Sequence, residues 1–242
     1  CSSATDRKRP STRALADSKL AMNSGGTSRC RSTMSRRDHW EQVYTSKSTD
    51  RFGWYVPHLR TSTEWIEKLG LSAESPIIDI GGGTSTLVDD LLNTGYRSVT
   101  VLDISKNALS TVCERLQGNS KLVTWLDADV TVAELPDRKY ELWHDRAVFH
   151  FLIERKDREA YRQNLLAALK QGGHVIIGTF TPDAPPKCSG LPVRRYTKEV
   201  LVNELGPEFV LENHIQEIHI TPGGIEQMYQ FCLFRRVDAC GS

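Results

Sequence analysis

The sequence has 242 residues, of which 39% are hydrophobic, and a formal net charge of +1. This size predicts one sizeable core in a single domain, and no apolar run approaches the roughly 18 residues that a membrane-spanning helix needs. No secretory signal peptide is recognisable, so we expect a soluble, cytoplasmic protein. The six cysteines contain no Cys-x-x-Cys pair, so the sequence predicts neither a zinc site nor a disulfide framework, and we expect no metal.

The charge is unevenly distributed along the chain. Nine Lys or Arg and two Asp residues fall within residues 1–37, which leaves 22 basic and 28 acidic residues for the remainder. Binding to nucleic-acid phosphates usually needs a basic face, so the mildly acidic remainder disfavours a nucleic-acid substrate.

Residues 1–37 are rich in Ser, Thr and Arg and nearly free of large apolar side chains, which predicts a disordered leader. The same composition is typical of a transit peptide, which would make the protein mitochondrial, although the amphipathic stripe is poor. Met34 stands just before the first predicted helix. We therefore favour the interpretation that the leader is an upstream extension of a protein that starts at Met34. We expect one folded domain over residues 38–236 and a short tail over residues 237–242.

The first predicted helix covers residues 38–44, with Asp38 as its N-cap and with Trp40 and Tyr44 on one face. Residues 61–69 predict a second helix, which leads into the first strand.

A glycine-rich turn follows that strand. Residues 76–80 form a short, β-branched apolar run, which predicts a buried strand, and residues 84–92 place apolar side chains at helical spacing. Three consecutive glycines connect the two elements, namely Gly81, Gly82 and Gly83. Glycine permits positive φ and close approach of a ligand, and a helix N-terminus offers unpaired N–H groups, so this turn is predicted to bind a ligand.

Carboxylates lie at or near the ends of three successive predicted strands, over residues 76–80, 99–105 and 122–130. Asp79 would repel a pyrophosphate but would attract a cationic ligand, and Thr86 replaces the last glycine of a dinucleotide-binding motif. Asp103 can accept the hydroxyls of a ribose, and Asp129 can accept an adenine amino group. Together the three acids favour a positively charged, adenosine-containing cofactor.

The segment from Asp79 to Ser85 resembles the acid-x-Gly-x-Gly-x-Gly motif of the class I, seven-stranded S-adenosylmethionine-dependent methyltransferases, with Ser85 in place of the last glycine. The resemblance covers roughly residues 38–236. It implies S-adenosyl-L-methionine as cofactor and no required metal. The residues that it implies in cofactor binding are Asp79, Gly81, Gly82, Gly83, Ser85, Asp103, Ile104, Asp129 and Val130.

Two aromatic residues before the glycine turn resemble a segment that folds over the cofactor in several members of this family. They are Trp54 and Tyr55, and the resemblance implies that they shield the methyl donor. Packing of both rings onto the sheet is the alternative.

The later elements predict the rest of the sheet. Strands over residues 140–145 and 174–180 flank a charged helix over residues 154–170, and such alternation indicates right-handed βαβ units. Residues 209–221 and 225–236 predict a hairpin. The predicted fold class is α/β: a doubly wound, mostly parallel seven-stranded sheet with helices on both faces and, as the resemblance implies, an antiparallel C-terminal hairpin strand.

The loop after the fourth strand is predicted to face the methyl acceptor, because ligands bind beyond the carboxyl ends of parallel strands. Asp145 or His150 can accept a proton there, and Arg146 and Phe149 are candidate substrate contacts. A structural pair between Asp145 and Arg146 is the alternative.

Residues 181–196 form a Pro-rich loop that is long for a connection, which favours a lid. Arg194, Arg195 and Tyr196 can bind an acidic acceptor, or the two arginines can simply be solvated.

The sequence therefore predicts an S-adenosylmethionine-dependent methyltransferase. A small metabolite is the preferred acceptor, because the sequence shows no second recognition domain. Protein lysine is the alternative, since the Trp-Glu-x-x-Tyr opening also resembles some lysine methyltransferases. An NAD-dependent oxidoreductase and an inactive cofactor-binding regulator are the other readings, and the oligomeric state is open.

Overall fold

A computed structural model describes residues 34–46 and 48–238. The leader up to residue 33, and with it Cys1 and Cys30, lies outside the described residues, as does Cys240. Cys113, Cys188 and Cys232 have free thiols.

The described residues form nine strands. In chain order these are β1 (Ile77–Ile80), β2 (Val99–Asp103), β3 (Val123–Asp127), β4 (Tyr140–Arg146), β5 (Leu169–Phe180), β6 (Lys187–Cys188), β7 (Leu191–Pro192), β8 (Phe209–Ile220) and β9 (Glu226–Arg236).

Seven of these strands form the central sheet in the order β3-β2-β1-β4-β5-β9-β8. β1 to β5 pair in parallel, and β9 lies antiparallel between β5 and β8. The short strands β6 and β7 pair as a hairpin within the Pro-rich loop. The predicted fold class, including the antiparallel hairpin strand, is confirmed.

Six α-helices accompany the strands in the same part of the chain. They are α1 (Arg36–Thr45), α2 (Arg60–Lys68), α3 (Leu87–Asn93), α4 (Lys106–Leu116), α5 (Arg155–Ala168) and α6 (Lys198–Leu205). The buried side chains of α2, α3 and α4 pack in the hydrophobic core on one face of the sheet, and those of α5 and α6 pack in a second core on the other face. Helices on both faces leave the carboxyl ends of the parallel strands as the free edge for a ligand.

The first helix begins earlier than predicted. Ser35 is its N-cap, and the hydroxyl of Ser35 accepts the backbone N–H of Asp38 at 3.1 Å. Asp38 is thus the third helical residue, where a carboxylate still favours the helix N-terminus. The predicted N-cap at Asp38 is wrong, and Arg36 and Arg37 belong to the helix rather than to the leader.

Two other boundaries differ from the prediction. α5 ends at Ala168, and Gly172 and Gly173 lie inside β5 instead of ending the helix. Leu169 is fully buried and has extended backbone angles, so its packing in the core favours the strand over the helix. α6 and the β6–β7 hairpin were not predicted.

Within the described part of the chain, no helix is long and apolar enough to cross a membrane. The same residues contain no cluster of three or more His, Cys, Asp or Glu side chains placed to hold a metal ion.

Candidate active site

A cleft opens at the carboxyl ends of β1 to β4. Strand order reverses between β1 and β4, which is where open α/β sheets bind ligands. Seven residues that the sequence singled out line it: Trp54, Gly81, Asp103, Ile104, Asp129, Val130 and Arg146. Their role in binding stays a prediction, whereas their convergence on one cleft is observed.

Asp103 ends β2 on the wall of this cleft. Its carboxylate is buried and accepts the backbone N–H of Ser105 at 2.7 Å, and a second backbone donor comes from Gly83. Burial raises the pKa of Asp103 to about 7, although both backbone donors lower it. A carboxylate this poorly solvated gains from any further donor, such as a pair of ligand hydroxyls.

Asp129 lies on the β3 side of the cleft. One of its oxygens accepts the backbone N–H and the hydroxyl of Thr131, at 2.9 and 2.7 Å. The other lies 3.5 Å from the guanidinium of Arg36, which also pairs with Asp157 at 3.4 Å. The acidic end of the cleft is therefore partly covered by α1.

The glycine turn closes tightly on its neighbours. Gly81 has φ +61°, and a Cβ there would overlap Val148; Gly83 has φ +50°, and a Cβ there would overlap the hydroxyl of Tyr44. Both positions therefore require glycine, for backbone angle and for space.

Of the predicted turn residues Gly81, Gly82, Gly83 and Ser85, Gly81 lines the cleft and the other three do not. A Cβ at Gly82 would meet the carboxylate of Asp79 at 2.8 Å, and the hydroxyl of Ser85 accepts the N–H of Leu87 at the start of α3. Both residues shape the turn rather than the wall. The guanidinium of Arg115 also fixes the turn, because it donates to the carbonyl of Ser85 at 2.6 Å.

Asp79 is buried beneath the turn and does not line the cleft. Its carboxylate lies 2.7 Å from Nδ1 of His144, whose Nε2 lies 2.8 Å from the hydroxyl of Ser62. The parallel register pairs Asp79 with His144 across β1 and β4. The sequence reasoning missed this partner, and the role of Asp79 in cofactor binding stays a prediction.

Glu41 fixes the position of α1 over the cleft. Its carboxylate accepts the backbone N–H groups of Lys106 and Asn107, at 2.7 and 3.2 Å, and the hydroxyl of Ser105 at 2.9 Å. A carboxylate at this point satisfies unpaired donors of α4 and interacts favourably with its dipole.

An aromatic cluster forms the wall beneath α1. The ring of Trp54 stacks on Phe52 at 4.7 Å and lies 6.0 Å from Trp40 and 5.8 Å from Tyr44. Trp40, Tyr44 and Trp54 all line the cleft, whereas Tyr55 does not. The prediction for Trp54 thus agrees with its position, and Trp40 and Tyr44 were not named as site residues.

Asp145 points away from the cleft. Alternate side chains of β4 face opposite sides of the sheet, so Asp145 lies on the side opposite His144 and Arg146. Its fully buried carboxylate accepts the N–H of Val148 and the hydroxyl of Tyr161, both at 2.8 Å. The predicted acceptor-side position of Asp145 is therefore wrong.

His150 and Phe149 are also buried away from the wall. Nδ1 of His150 accepts the backbone N–H of Phe180 at 3.4 Å. Burial, helped by the charge of Arg146, lowers the pKa of His150 to about 3. The imidazole is neutral and a weak base, which does not suit the predicted role of proton acceptor.

The predicted substrate contacts in the Pro-rich loop lie elsewhere. Arg194 pairs with Glu204 at 2.6 Å, Arg195 donates to the carbonyl of Pro182 at 2.6 Å, and Tyr196 is buried in the core. The prediction that these residues face the acceptor is wrong, because the arginines find partners near the loop itself. The loop instead brings Cys188 to the cleft, and burial raises the pKa of that thiol.

Comparison with known proteins agrees with this geometry. Residues 77–173 match the family model described as a methyltransferase domain. The chain is 25% identical over 220 residues to the mouse eEF1A lysine and N-terminal methyltransferase, covering 81% of this chain and 30% of that protein. It is 28% identical over 127 residues to phosphoethanolamine N-methyltransferase 1 of Triticum aestivum, covering 52% of this chain and 25% of that protein.

The chain thus spans less than a third of the length of these relatives. Among solved structures, it resembles the N-methyltransferase NodS of Bradyrhizobium japonicum in complex with S-adenosyl-L-homocysteine. The TM-score is 0.60 at 17% identity, over 82% of this chain and 99% of that one. Residues 77–173 thus match a methyltransferase domain, and the fold of the chain is that of a solved methyltransferase.

Proposed function

We propose that this protein binds S-adenosylmethionine in the cleft and transfers its methyl group to a small-molecule acceptor. One observation carries the proposal: the buried carboxylate of Asp103 stands at the end of β2, beside the Gly81–Gly83 turn and on the cleft wall. A carboxylate in this place is suited to accept the two hydroxyls of a ribose.

The residues of the cleft fit this cofactor. Asp103 would hold the ribose, and Asp129 and the backbone around Val130 would lie on the adenine side, next to it in the sheet order. The buried carboxylates of Asp79 and Asp103, when ionised, oppose a pyrophosphate near the turn, which disfavours a dinucleotide.

When bound, the cofactor supplies a methyl group on a positively charged sulfur. The chain supplies orientation and removal of water, because the rings of Trp40, Tyr44 and Trp54 cover the cleft. Burial raises the pKa of Tyr44 well above its usual value, so its hydroxyl stays neutral. Among the wall residues described here, the end near Arg146 carries no carboxylate and no imidazole. The described wall residues near Arg146 therefore act by positioning the acceptor, and we assign no general base.

The acceptor class has one alternative. The relatives include a protein-lysine methyltransferase and a phosphoethanolamine N-methyltransferase, and both classes are compatible with this domain. We favour a small molecule because the aromatic rings of Trp40, Tyr44 and Trp54 line the cleft, an arrangement suited to enclosing a small acceptor.

Two measurements test the proposal. Isothermal calorimetry of the purified protein against S-adenosylmethionine, S-adenosylhomocysteine and NAD is expected to show binding of the first two only. Incubation with radiolabelled S-adenosylmethionine in a cell extract is expected to label small molecules. Binding of NAD alone would overturn the assignment of the cofactor. Radioactive label confined to protein would overturn the assignment of a small-molecule acceptor.

A further inference from the structure

Arg146 is a half-buried cation on the cleft wall at the end of β4. Its Nη1 donates to the backbone carbonyl of Trp54 at 2.8 Å, and its guanidinium lies 5.1 Å from the ring centre of Tyr229. No carboxylate of the described residues forms an ion pair with it, in contrast to Arg36 on the same wall. A guanidinium has five N–H donors, so most of its donors have no protein partner in this part of the chain.

This cation is separated from the acids of the cleft. In the sheet order, β1 lies between β2, which carries Asp103, and β4, which carries Arg146. Neighbouring strands are about 4.8 Å apart, so the backbones at these two residues are roughly 10 Å apart. The cleft thus has an acidic end over β2 and β3 and a basic end over β4. The acidic end is the one that suits the adenosine part of the proposed cofactor.

Most neighbours of Arg146 at the basic end are uncharged side chains. Nε2 of His150 and the hydroxyl of Tyr229 are buried without a hydrogen-bond partner among the residues in view. The charge of Arg146 acts to lower the pKa of His150, Cys188 and Tyr229, although in each case burial has the larger effect. The carboxylate of Glu217, opposite Tyr229 on the neighbouring strand, acts on Tyr229 and His219 but forms no ion pair with Arg146 among the described residues. Buried polar atoms without partners are uncommon in folded proteins.

We propose that Arg146 binds an anionic group of the methyl acceptor, a carboxylate or a phosphate, and that the acceptor is therefore an acidic small molecule and not a lysine side chain. Arginine recognises both anions through two parallel N–H donors, and it would repel a lysine ammonium group. This inference rests on the proposed function, because it assumes that the cofactor occupies the acidic end.

The test compares wild-type protein with Arg146→Gln, Arg146→Lys and the control Arg155→Gln. Arg155 is an exposed arginine on α5 that does not line the cleft, and it pairs only with Glu159 among the described side chains. Each protein is first titrated with S-adenosylhomocysteine by calorimetry. Each is then saturated with it, and thermal melting is followed with inorganic phosphate, malonate or methylamine at constant ionic strength.

Phosphate or malonate is expected to raise the melting temperature of wild type and of Arg155→Gln, and methylamine is not. Loss of hydrogen bonds to a charged group weakens binding by roughly 10- to 150-fold, so Arg146→Gln should need that much more anion. Arg146→Lys, which keeps the charge without the planar fork, should fall in between, and it decides the test if Arg146→Gln does not fold. The anion that binds more tightly indicates whether the acceptor carries a carboxylate or a phosphate.

Three results would overturn the proposal: no effect of either anion on wild type, an equal effect on wild type and on the folded Arg146 variants, or stabilisation by methylamine alone. A drop of tenfold or more in the affinity of Arg146→Gln for S-adenosylhomocysteine would also overturn it, because the partner of Arg146 would then be the carboxylate of the cofactor. Failure of wild type to bind S-adenosylhomocysteine is a separate result, which overturns the proposed function itself.

Discussion

Glu41 on α1 accepts the backbone N–H of Lys106, the first residue of α4, at 2.7 Å. This contact joins the helix that carries Trp40 and Tyr44 to the connection that follows Asp103. This carboxylate therefore links the cover of the cleft to the residue that we assign to the ribose, and Arg37 adds a second link by donating to the carbonyl of Ile104 at 2.6 Å.

Replacing Glu41 by Ala removes this cap and is expected to loosen α1. Loss of a capping residue costs about 0.5–2 kcal/mol of stability, so the free energy of unfolding should fall by that amount. The affinity for S-adenosylhomocysteine should fall as well, because the aromatic cover is no longer fixed. Denaturant unfolding and calorimetry measure the two effects. Glu64→Ala, at an exposed position on α2, is the control; equal behaviour of the two variants would mean that Glu41 does not hold the cover.

Asp103→Asn is expected to weaken cofactor binding while the fold remains intact. Asn keeps the shape but loses the charge and one acceptor, and hydrogen bonds to charged groups contribute about 1.5–3 kcal/mol, or roughly 10- to 150-fold in affinity. Calorimetry with S-adenosylhomocysteine measures the change. Asp137→Asn serves as the control, because the side chain of Asp137 is 79% exposed. An unchanged dissociation constant for Asp103→Asn would remove Asp103 from the ribose site.

The affinity for S-adenosylhomocysteine is expected to rise with pH up to about 7 and to level off above it. The pKa of Asp103 is raised to about 7, mainly by burial, and only its ionised form accepts both hydroxyls. Binding therefore releases a proton below that pH, with at most about a tenfold change in affinity per pH unit. Calorimetry between about pH 5.5 and 8.5, in buffers that differ in ionisation enthalpy, measures the slope and the proton release.

The pH dependence of folding stability has the opposite sign to that of cofactor affinity. A raised pKa means that the protonated form favours the folded protein, so the contribution of Asp103 to stability is present below its unfolded pKa and is lost as pH rises through about 7. Asp103→Asn should abolish both pH effects. A pH profile that persists in this variant would assign the titration to another group.

The sequence was sufficient to predict the sheet and the glycine turn because those features depend on local patterns. Short β-branched runs before Gly81 and before Asp103 predict strands. The alternation of these strands with helices predicts a parallel sheet. The acids of the turn region were likewise found from their position at strand ends. Asp103 and Asp129 line the cleft as their spacing suggested.

The residues on the methyl-acceptor side of the cleft were harder to predict, because their roles depend on which way each side chain points. Strand alternation on β4 places Asp145 and Arg146 on opposite faces, and this pattern was already available in the sequence. The partners of Arg194 and Arg195 were not, because one is a glutamate on a helix that was not predicted and the other is a backbone carbonyl. The role of Glu41 likewise required the docking of α1 on α4, which no local pattern contains.

Gly83→Ala is expected to abolish cofactor binding or to weaken it strongly. The added Cβ would overlap the hydroxyl of Tyr44, and φ +50° is unfavourable for alanine, so both the turn and the aromatic cover must shift. Calorimetry with S-adenosylhomocysteine measures the loss. Gly118→Ala is the matched control, since a Cβ at Gly118 meets nothing within 4 Å. Wild-type affinity in Gly83→Ala would show that the turn does not touch the ligand.

Asp145→Asn is expected to lower stability rather than catalysis, in contrast to the role that the sequence suggested for it. The buried carboxylate accepts the N–H groups of Val148 and Phe149, at 2.8 and 3.1 Å, and the hydroxyl of Tyr161. An Asn side chain turns one acceptor into a donor that faces other donors, and an unsatisfied buried group costs about 1–3 kcal/mol. At about 2–4 °C per kcal/mol for a domain of this size, the melting temperature should fall by roughly 2 to 12 °C.

Tyr161→Phe removes the hydroxyl that donates to Asp145 and that also accepts the indole N–H of Trp143 at 2.8 Å, and it should reproduce part of the effect of Asp145→Asn. The double variant should then lose less than the sum of the two single losses, because the two side chains share one hydrogen bond. Thermal melting of all three variants is compared with Asp137→Asn, and calorimetry with S-adenosylhomocysteine on the folded fraction should give dissociation constants within about threefold of wild type. An unchanged melting temperature together with lost turnover in Asp145→Asn would return this residue to the acceptor side of the cleft.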